Sequence, residues 1–238
     1  MSYLEKRAER VAKHYGAKFK DGEEPLQLFH VSGFAHPLLN VITEQEPHII
    51  QQYRWGLIPK WCQHVEQAIT ISNQTLNSKA ETIFEKNSFK HSVFQKRCLV
   101  IVSGFFEWQT FAKSKYPYYI TLKEQPFFSL AGLYENWTDK HTGEQFNTFS
   151  IITVDANTMM AQIHNSKKRM PLILPVTHEQ KWLDSNLDEK DIQALLLPFE
   201  DNQMQAHTIS KRINDKSLTT YSEDILKPFE YPELAFLQ

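Results

Sequence analysis

Cysteine is nearly absent from this sequence: Cys62 and Cys98 are the only two in 238 residues. That is too few for a disulfide scaffold or for a zinc site of cysteines, and it points to a reducing cytoplasm. Glycine (7) and proline (11) are sparse, with no low-complexity tract and no repeat at a solenoid period, so fibrous and repeat architectures are excluded. No apolar run approaches the length needed to span a membrane. The opening residues Met1-Ser2-Tyr3-Leu4-Glu5-Lys6-Arg7 carry basic charge with no apolar core behind them, so no signal peptide is expected. A surplus of charge is also missing. The net value of −2 gives no general attraction to nucleic acid, and any phosphate contact must come from a local basic patch.

What the chain does have is apolar and aromatic content: 41% hydrophobic and 13% aromatic, enough for a buried core and too much for disorder. Leu4, Ala8, Val11, Ala12 and Tyr15 recur at helical spacing, and Gly16 supplies the stop. Short extended pieces are predicted at Leu26–Val31, Leu38–Thr43 and His48–Leu57, followed by an apolar stretch at Ala68–Ser72. Asn77-Ser78-Lys79-Ala80-Glu81-Thr82 leads into a predicted helix through Phe84. The strongest strand signal is Cys98–Trp108, with further strands at 117–122, 126–134, 146–154, 170–174 and 206–209. Asp139–Glu144 reads as a hairpin turn. Helices are expected at 156–163 and 188–197, and Thr177-His178-Glu179-Gln180 has the form of a capping box. Many short strands, few helices and no βαβ alternation imply an α+β fold: a mixed, largely antiparallel sheet or barrel-like core with flanking helices. Without a linker-like stretch, residues 1–238 read as one domain.

Chemistry concentrates at a few positions. Side chains alternate along a strand, so Leu99, Ile101, Ser103, Phe105 and Glu107 are expected on one face, which is apolar until Glu107. A carboxylate flanked by Phe106 and Trp108 is expected to be partly desolvated, with a raised pKa suited to general acid–base work. The alternative is that the strand ends there and Glu107 points to water. His164 follows Met159, Met160 and Ile163 and precedes Lys167, Lys168 and Arg169. It fits a helix-terminal histidine, in a loop whose basic run suits phosphate. Asn77 fits a helix cap. Arg54-Trp55-Gly56-Leu57-Ile58-Pro59-Lys60-Trp61 interleaves cations and tryptophans, as stacking on unpaired bases requires and as a half-buried edge strand also does.

Read together, these segments are far more specific. Arg54–Pro59, Asn77–Thr82, Arg97-Cys98-Leu99-Val100, Gly104-Phe105-Phe106-Glu107-Trp108, Ala131-Gly132-Leu133-Tyr134 and His164 with Arg169-Met170-Pro171 occur in that order. The series resembles the SRAP family, abasic-site-processing proteins also called SOS-response-associated peptidases, from about Tyr53 to Ile213. The resemblance implies loss of the initiator Met and attack by an N-terminal cysteine, through amine and thiol, on the aldehyde of an abasic site in single-stranded DNA. A thiazolidine cross-link results. It further implies that Asn77 orients the N-terminal residue and the opened sugar, that Glu107 shuttles protons, and that His164 contacts the lesion phosphate and assists imine chemistry. Arg54 and Lys79 would bind phosphates, joined by the basic loop Lys167-Lys168-Arg169, while Trp55 and Trp61 would stack on bases. No metal or cofactor is implied.

The implied partner is single-stranded DNA containing abasic sites, with the replication machinery nearby and no membrane. The implied setting is a cytoplasmic, nucleoid-associated monomer. Three departures stand out. Position 2 is Ser2, a far poorer trap than a thiol. Lys79 stands where arginine is usual, and Asn165-Ser166-Lys167-Lys168 lengthens the loop before Arg169. Two other activities fit the same residues: binding of single-stranded or junction DNA without chemistry, and an N-terminal-nucleophile peptidase.

Overall fold

A computed structural model describes residues 3–23, 26, 28–215 and 222–237. The chain opens with α1 (Tyr3–Tyr15), which buries Val11 and Tyr15. Gly16 ends it in the left-handed region (φ 58°), where glycine meets no Cβ penalty. The amides of Gly16 and Ala17 then bond the carbonyls of Lys13 and Ala12, which closes the helix end. Strands β1 (Lys18–Phe19), β2 (Leu38–Thr43) and β3 (Ile49–Trp55) follow, then α2 (Val65–Gln74) and β4 (Asn77–Lys79). Next come α3 (Ser92–Gln95), β5 (Arg97–Val102), β6 (Phe105–Phe111) and β7 (Ser114–Leu122). The long hairpin β8 (Phe128–Thr138) and β9 (Gln145–Asp155) precedes α4 (Thr158–Ile163), β10 (Arg169–Pro171) and β11 (Ile173–Leu174). Last come α5 (Val176–Trp182), α6 (Glu189–Leu195) and β12 (Met204–Thr208).

Five strands close a barrel-like sheet in the order β3-β2-β5-β8-β9. Closure is a short parallel seam in which Arg54 faces Thr148 and Trp55 faces Phe149. The other contacts around the ring are antiparallel, so the expected mixed, largely antiparallel, barrel-like α+β fold is what the chain adopts. Ile42, Ile50, Leu99, Leu130, Tyr134 and Phe149 are fully buried in the core. Arg97, also fully buried, is a structural cation. Its guanidinium donates to the carbonyls of Val93, Phe94, Trp182 and Asp184 and lies over the Trp182 ring. A second sheet, β12-β7-β6, stands beside the barrel.

Several expected elements differ. The run Cys98–Trp108 is two strands, not one: β5 stays in the barrel, and the chain leaves at Ser103-Gly104 to enter the small sheet as β6. Alternation therefore cannot be carried from Leu99 to Glu107. Ala68–Ser72, read only as an apolar stretch, lies inside α2. The described residues of 26–31 form no strand, and the chain after Lys79 makes only a single 3-10 turn, Ala80–Thr82. Thr177 is inside α5, whose N-cap is Pro175, so the capping box is not used. The 139–144 turn forms as expected: the Asp139 amide bonds the Glu144 carbonyl, and the Asp139 carboxylate accepts from the His141 amide.

Candidate functional site

A cavity of about 1050 Å³ opens between the barrel and the small sheet. Its apolar walls include Ala8 and Val11 of α1, Phe105 of β6 and Trp55 at the barrel seam. Three polar segments enter it. Strand β4, paired in parallel with β9, alternates exposed, buried, exposed, so Ser78 packs against the barrel while Asn77 and Lys79 line the cavity. Asn77 caps no helix; the 3-10 turn after it has Lys79 at its N-cap, without a side-chain bond. Trp55 is fixed in the wall, its indole N–H donating to the Leu76 carbonyl at 2.7 Å and its ring stacked on Phe149.

The remaining two segments meet at a carboxylate and an imidazole. Helix α4 starts at Asn157, whose side chain accepts from the Met160 amide at 2.9 Å, and it ends at His164, whose amide bonds the Met160 carbonyl. His164 is thus helix-terminal, as its sequence context suggests. Its Nδ1 also lies 3.6 Å from Glu107 Oε1. That is too long for a direct hydrogen bond and close enough for charge coupling. Nδ1 donates instead to the Arg169 carbonyl at 2.9 Å. A carbonyl only accepts, so Nδ1 carries the proton. The Glu107 side chain is 23% exposed. Burial pushes its carboxyl above the ordinary 4.5, and His164, the Trp108 amide and Lys167 pull it part of the way back.

The arrangement brings Asn77, Lys79, Glu107, His164, Trp55, Lys167 and Arg169 to one cavity. Arg54, Trp61 and Lys168 do not line it. Arg54 is exposed beside the barrel seam, reaching the His36 carbonyl at 3.4 Å. Trp61 is 40% exposed and donates to the Asn87 carbonyl. Ser2 lies outside the described residues. Arg169 is engaged within the protein: its guanidinium pairs with Glu81 and with Asp155 (2.9 Å) and donates to the Thr153 carbonyl (2.6 Å). The partners Glu81 and Asp155 had no sequence signal of their own, although Glu81 sits inside the Asn77–Thr82 motif. The segment from Leu28 to Ala35 was also missed. It runs along the cavity into a 3-10 turn, Gly33–Ala35, where Phe34 is 75% exposed. Among the described residues no group of three His, Cys, Asp or Glu is placed to hold a metal ion, and no helix is long and apolar enough to cross a membrane.

Beside a closed α+β barrel, a carboxylate and an imidazole thus approach each other in the wall of a lysine-bearing cavity. The chain belongs to the SRAP family: it matches the family described as SOS response associated peptidase (SRAP) over residues 2–216, a span that begins well before the motif series. A Bacillus subtilis (strain 168) relative named abasic site processing protein YoaM is 37% identical over 179 residues, 74% of this chain and 75% of its own length. The Xenopus tropicalis abasic site processing protein HMCES is 31% identical over 75% of this chain and 57% of its own length. A crystal structure of a Bacteroides thetaiotaomicron protein superposes with a TM-score of 0.87 at 39% identity, covering 94% of this chain and 96% of that one.

Proposed function

We propose that this protein processes abasic sites in single-stranded DNA by joining its N-terminal residue to the opened deoxyribose. The observation that carries the reading is the Glu107–His164 approach of 3.6 Å in a cavity that Asn77 and Lys79 also line. The names of the relatives from Bacillus subtilis and Xenopus tropicalis support the same lesion. Loss of Met1 exposes the α-amine of Ser2, and such an amine titrates close to neutrality, well below lysine. Its nitrogen attacks the aldehyde carbon, and the resulting carbinolamine loses water to give an imine. Glu107 protonates the departing sugar oxygen and later takes a proton back, while His164 lies against the lesion phosphate. Lys79 and Lys167 at the cavity, with Arg54 and Lys168 outside it, contact backbone phosphates. This local charge makes binding salt-dependent despite the negative total. Trp55 and Trp61 stack on bases. Arg169, engaged by Glu81 and Asp155, orders the wall behind His164.

Ser2 changes the outcome. Its hydroxyl adds to an imine only weakly, so the adduct stays reversible, whereas a thiol at that position would close a thiazolidine. The test is incubation with abasic single-stranded DNA, with and without cyanoborohydride, for the natural chain and for Ser2→Cys, after intact mass has established loss of Met1. Ser2→Cys is expected to give a stable band on a denaturing gel, and the natural chain a band only after reduction. Absence of any band from Ser2→Cys would overturn the proposal.

A further inference from the structure

We infer that Asn165 is a positioning residue: its side-chain amide docks on the outer edge of β6 and thereby sets the approach of His164 to Glu107. The inference rests on the reading of Glu107 and His164 as the proton-transfer pair. Those two residues come from separate bodies. Glu107 belongs to the small sheet, whereas His164 lies between α4 and β10, the latter paired to the barrel strand β9. Their distance is therefore not fixed by either sheet alone.

Strand β6 pairs with β7 on one side only, so on its other edge alternate peptide groups face away from the sheet. Thr110 is one of them. Its N–H donates to Asn165 Oδ1 at 3.0 Å, and its C=O accepts from Asn165 Nδ2 at 2.8 Å. A primary amide, with one acceptor and two donors, reproduces what a neighbouring strand would offer. Two residues back, the Trp108 amide on the same strand favours the charged form of the Glu107 carboxyl. One strand thus both carries the carboxyl, on Glu107, and holds the residue next to the imidazole through Thr110. Gln109 adds a second strap, donating to the Gln162 carbonyl at 3.1 Å and accepting from the Tyr118 hydroxyl at 3.0 Å. The loop is closed on itself as well. The Lys168 amide bonds the His164 carbonyl, the Ala156 amide bonds the Lys168 carbonyl, and Lys168 is held at φ 51°. A loop so closed moves as a unit, and a hold on Asn165 is a hold on His164.

The test compares the full chain with Asn165→Ala and with Ser166→Ala, an exposed neighbour outside the clamp. Thermal melting checks that both fold; Asn165 is itself exposed. Titration of the Glu107 carboxyl by carbon NMR, without substrate, is expected to move to higher pH by about half a unit in Asn165→Ala as the imidazole drifts away. In a Ser2→Cys background the same change is expected to slow adduct formation by about ten-fold, with affinity for undamaged single-stranded DNA within about two-fold. Ser166→Ala is expected to match the parent in all three. An unmoved Glu107 titration, or a rate loss matched by an equal loss of affinity, would overturn the inference. If the Ser2→Cys parent forms no adduct, the functional reading fails, and the titration still decides the clamp.

Discussion

The Glu107 carboxyl is raised by burial and lowered by His164, the Trp108 amide and Lys167. A group balanced in this way responds to either side. Glu107→Gln is expected to slow adduct formation by Ser2→Cys by roughly a hundred-fold while leaving affinity for single-stranded DNA in place. The carboxyl inflection in the pH–rate profile, above 4.5 in the parent, is expected to disappear with it, and Lys167→Ala is expected to move that inflection further up. Stopped-time gels across pH 4 to 9 would check both; an inflection that survives Glu107→Gln removes the assignment. The desolvation of Glu107 was legible in the sequence because Phe106 and Trp108 flank it. The reason first available, a shared face from Leu99 to Glu107, was not the right one. His164 was legible as a helix terminus, but its approach to a strand 57 positions earlier has no local signature. The cations Arg54 and Arg169 read alike in the sequence, and only packing separates an exposed one from one held by Glu81 and Asp155.

The turn Ser103-Gly104 decides which sheet the carboxylate belongs to. A Cβ on Gly104 would stand 2.4 Å from the Tyr119 ring. That ring has little freedom to yield, since it packs on Phe106 and His207 and its hydroxyl donates to the Ser103 carbonyl. Gly104→Ala is therefore expected to destabilise the fold by about 1–3 kcal/mol, read as a lower denaturant midpoint with an unchanged slope. An unaltered midpoint would mean that the two sheets tolerate repositioning. Elements with strong local signals were legible to the residue: Leu38–Thr43 is a strand as expected, and Gly16 ends α1. Misread elements were those whose apolar pattern meets no pairing strand, such as 26–31, or whose partners come from afar. The break inside Cys98–Trp108 belongs to the second kind, because only the ring Tyr119 brings to Gly104 marks it.

At the scale of the whole molecule, α1 is fastened to the barrel through a buried polar cluster. The Ser129 hydroxyl of β8 donates to Tyr15 Oη at 3.1 Å, and Glu179 of α5 lies beside them with Oε1 unbonded. Burial raises the Glu179 carboxyl to about 7, against a smaller opposing effect of Ser129. The folded chain thus keeps this proton up to about pH 7, while the unfolded chain releases it near 4.5. Stability from this group is complete below 4.5 and is lost as pH rises through 7, by about 3 kcal/mol in all. Melting temperatures between pH 5 and 8 are expected to fall in the natural chain, and Glu179→Gln is expected to flatten that slope. An equal slope in both would place the titration elsewhere. The closed barrel itself was legible only as a class, because ring closure rests on a seam of two residue pairs that no periodicity announces.

One consequence of the Asn165 clamp reaches beyond the molecule. An open strand edge rich in Phe105, Phe106 and Trp108 is a template on which a second chain can add itself, and natural sheets blunt such edges with charge, bulges or cover. Here the cover is one amide side chain from a lysine-rich loop. The contact that holds the residue beside His164 also covers peptide groups on which another strand could pair.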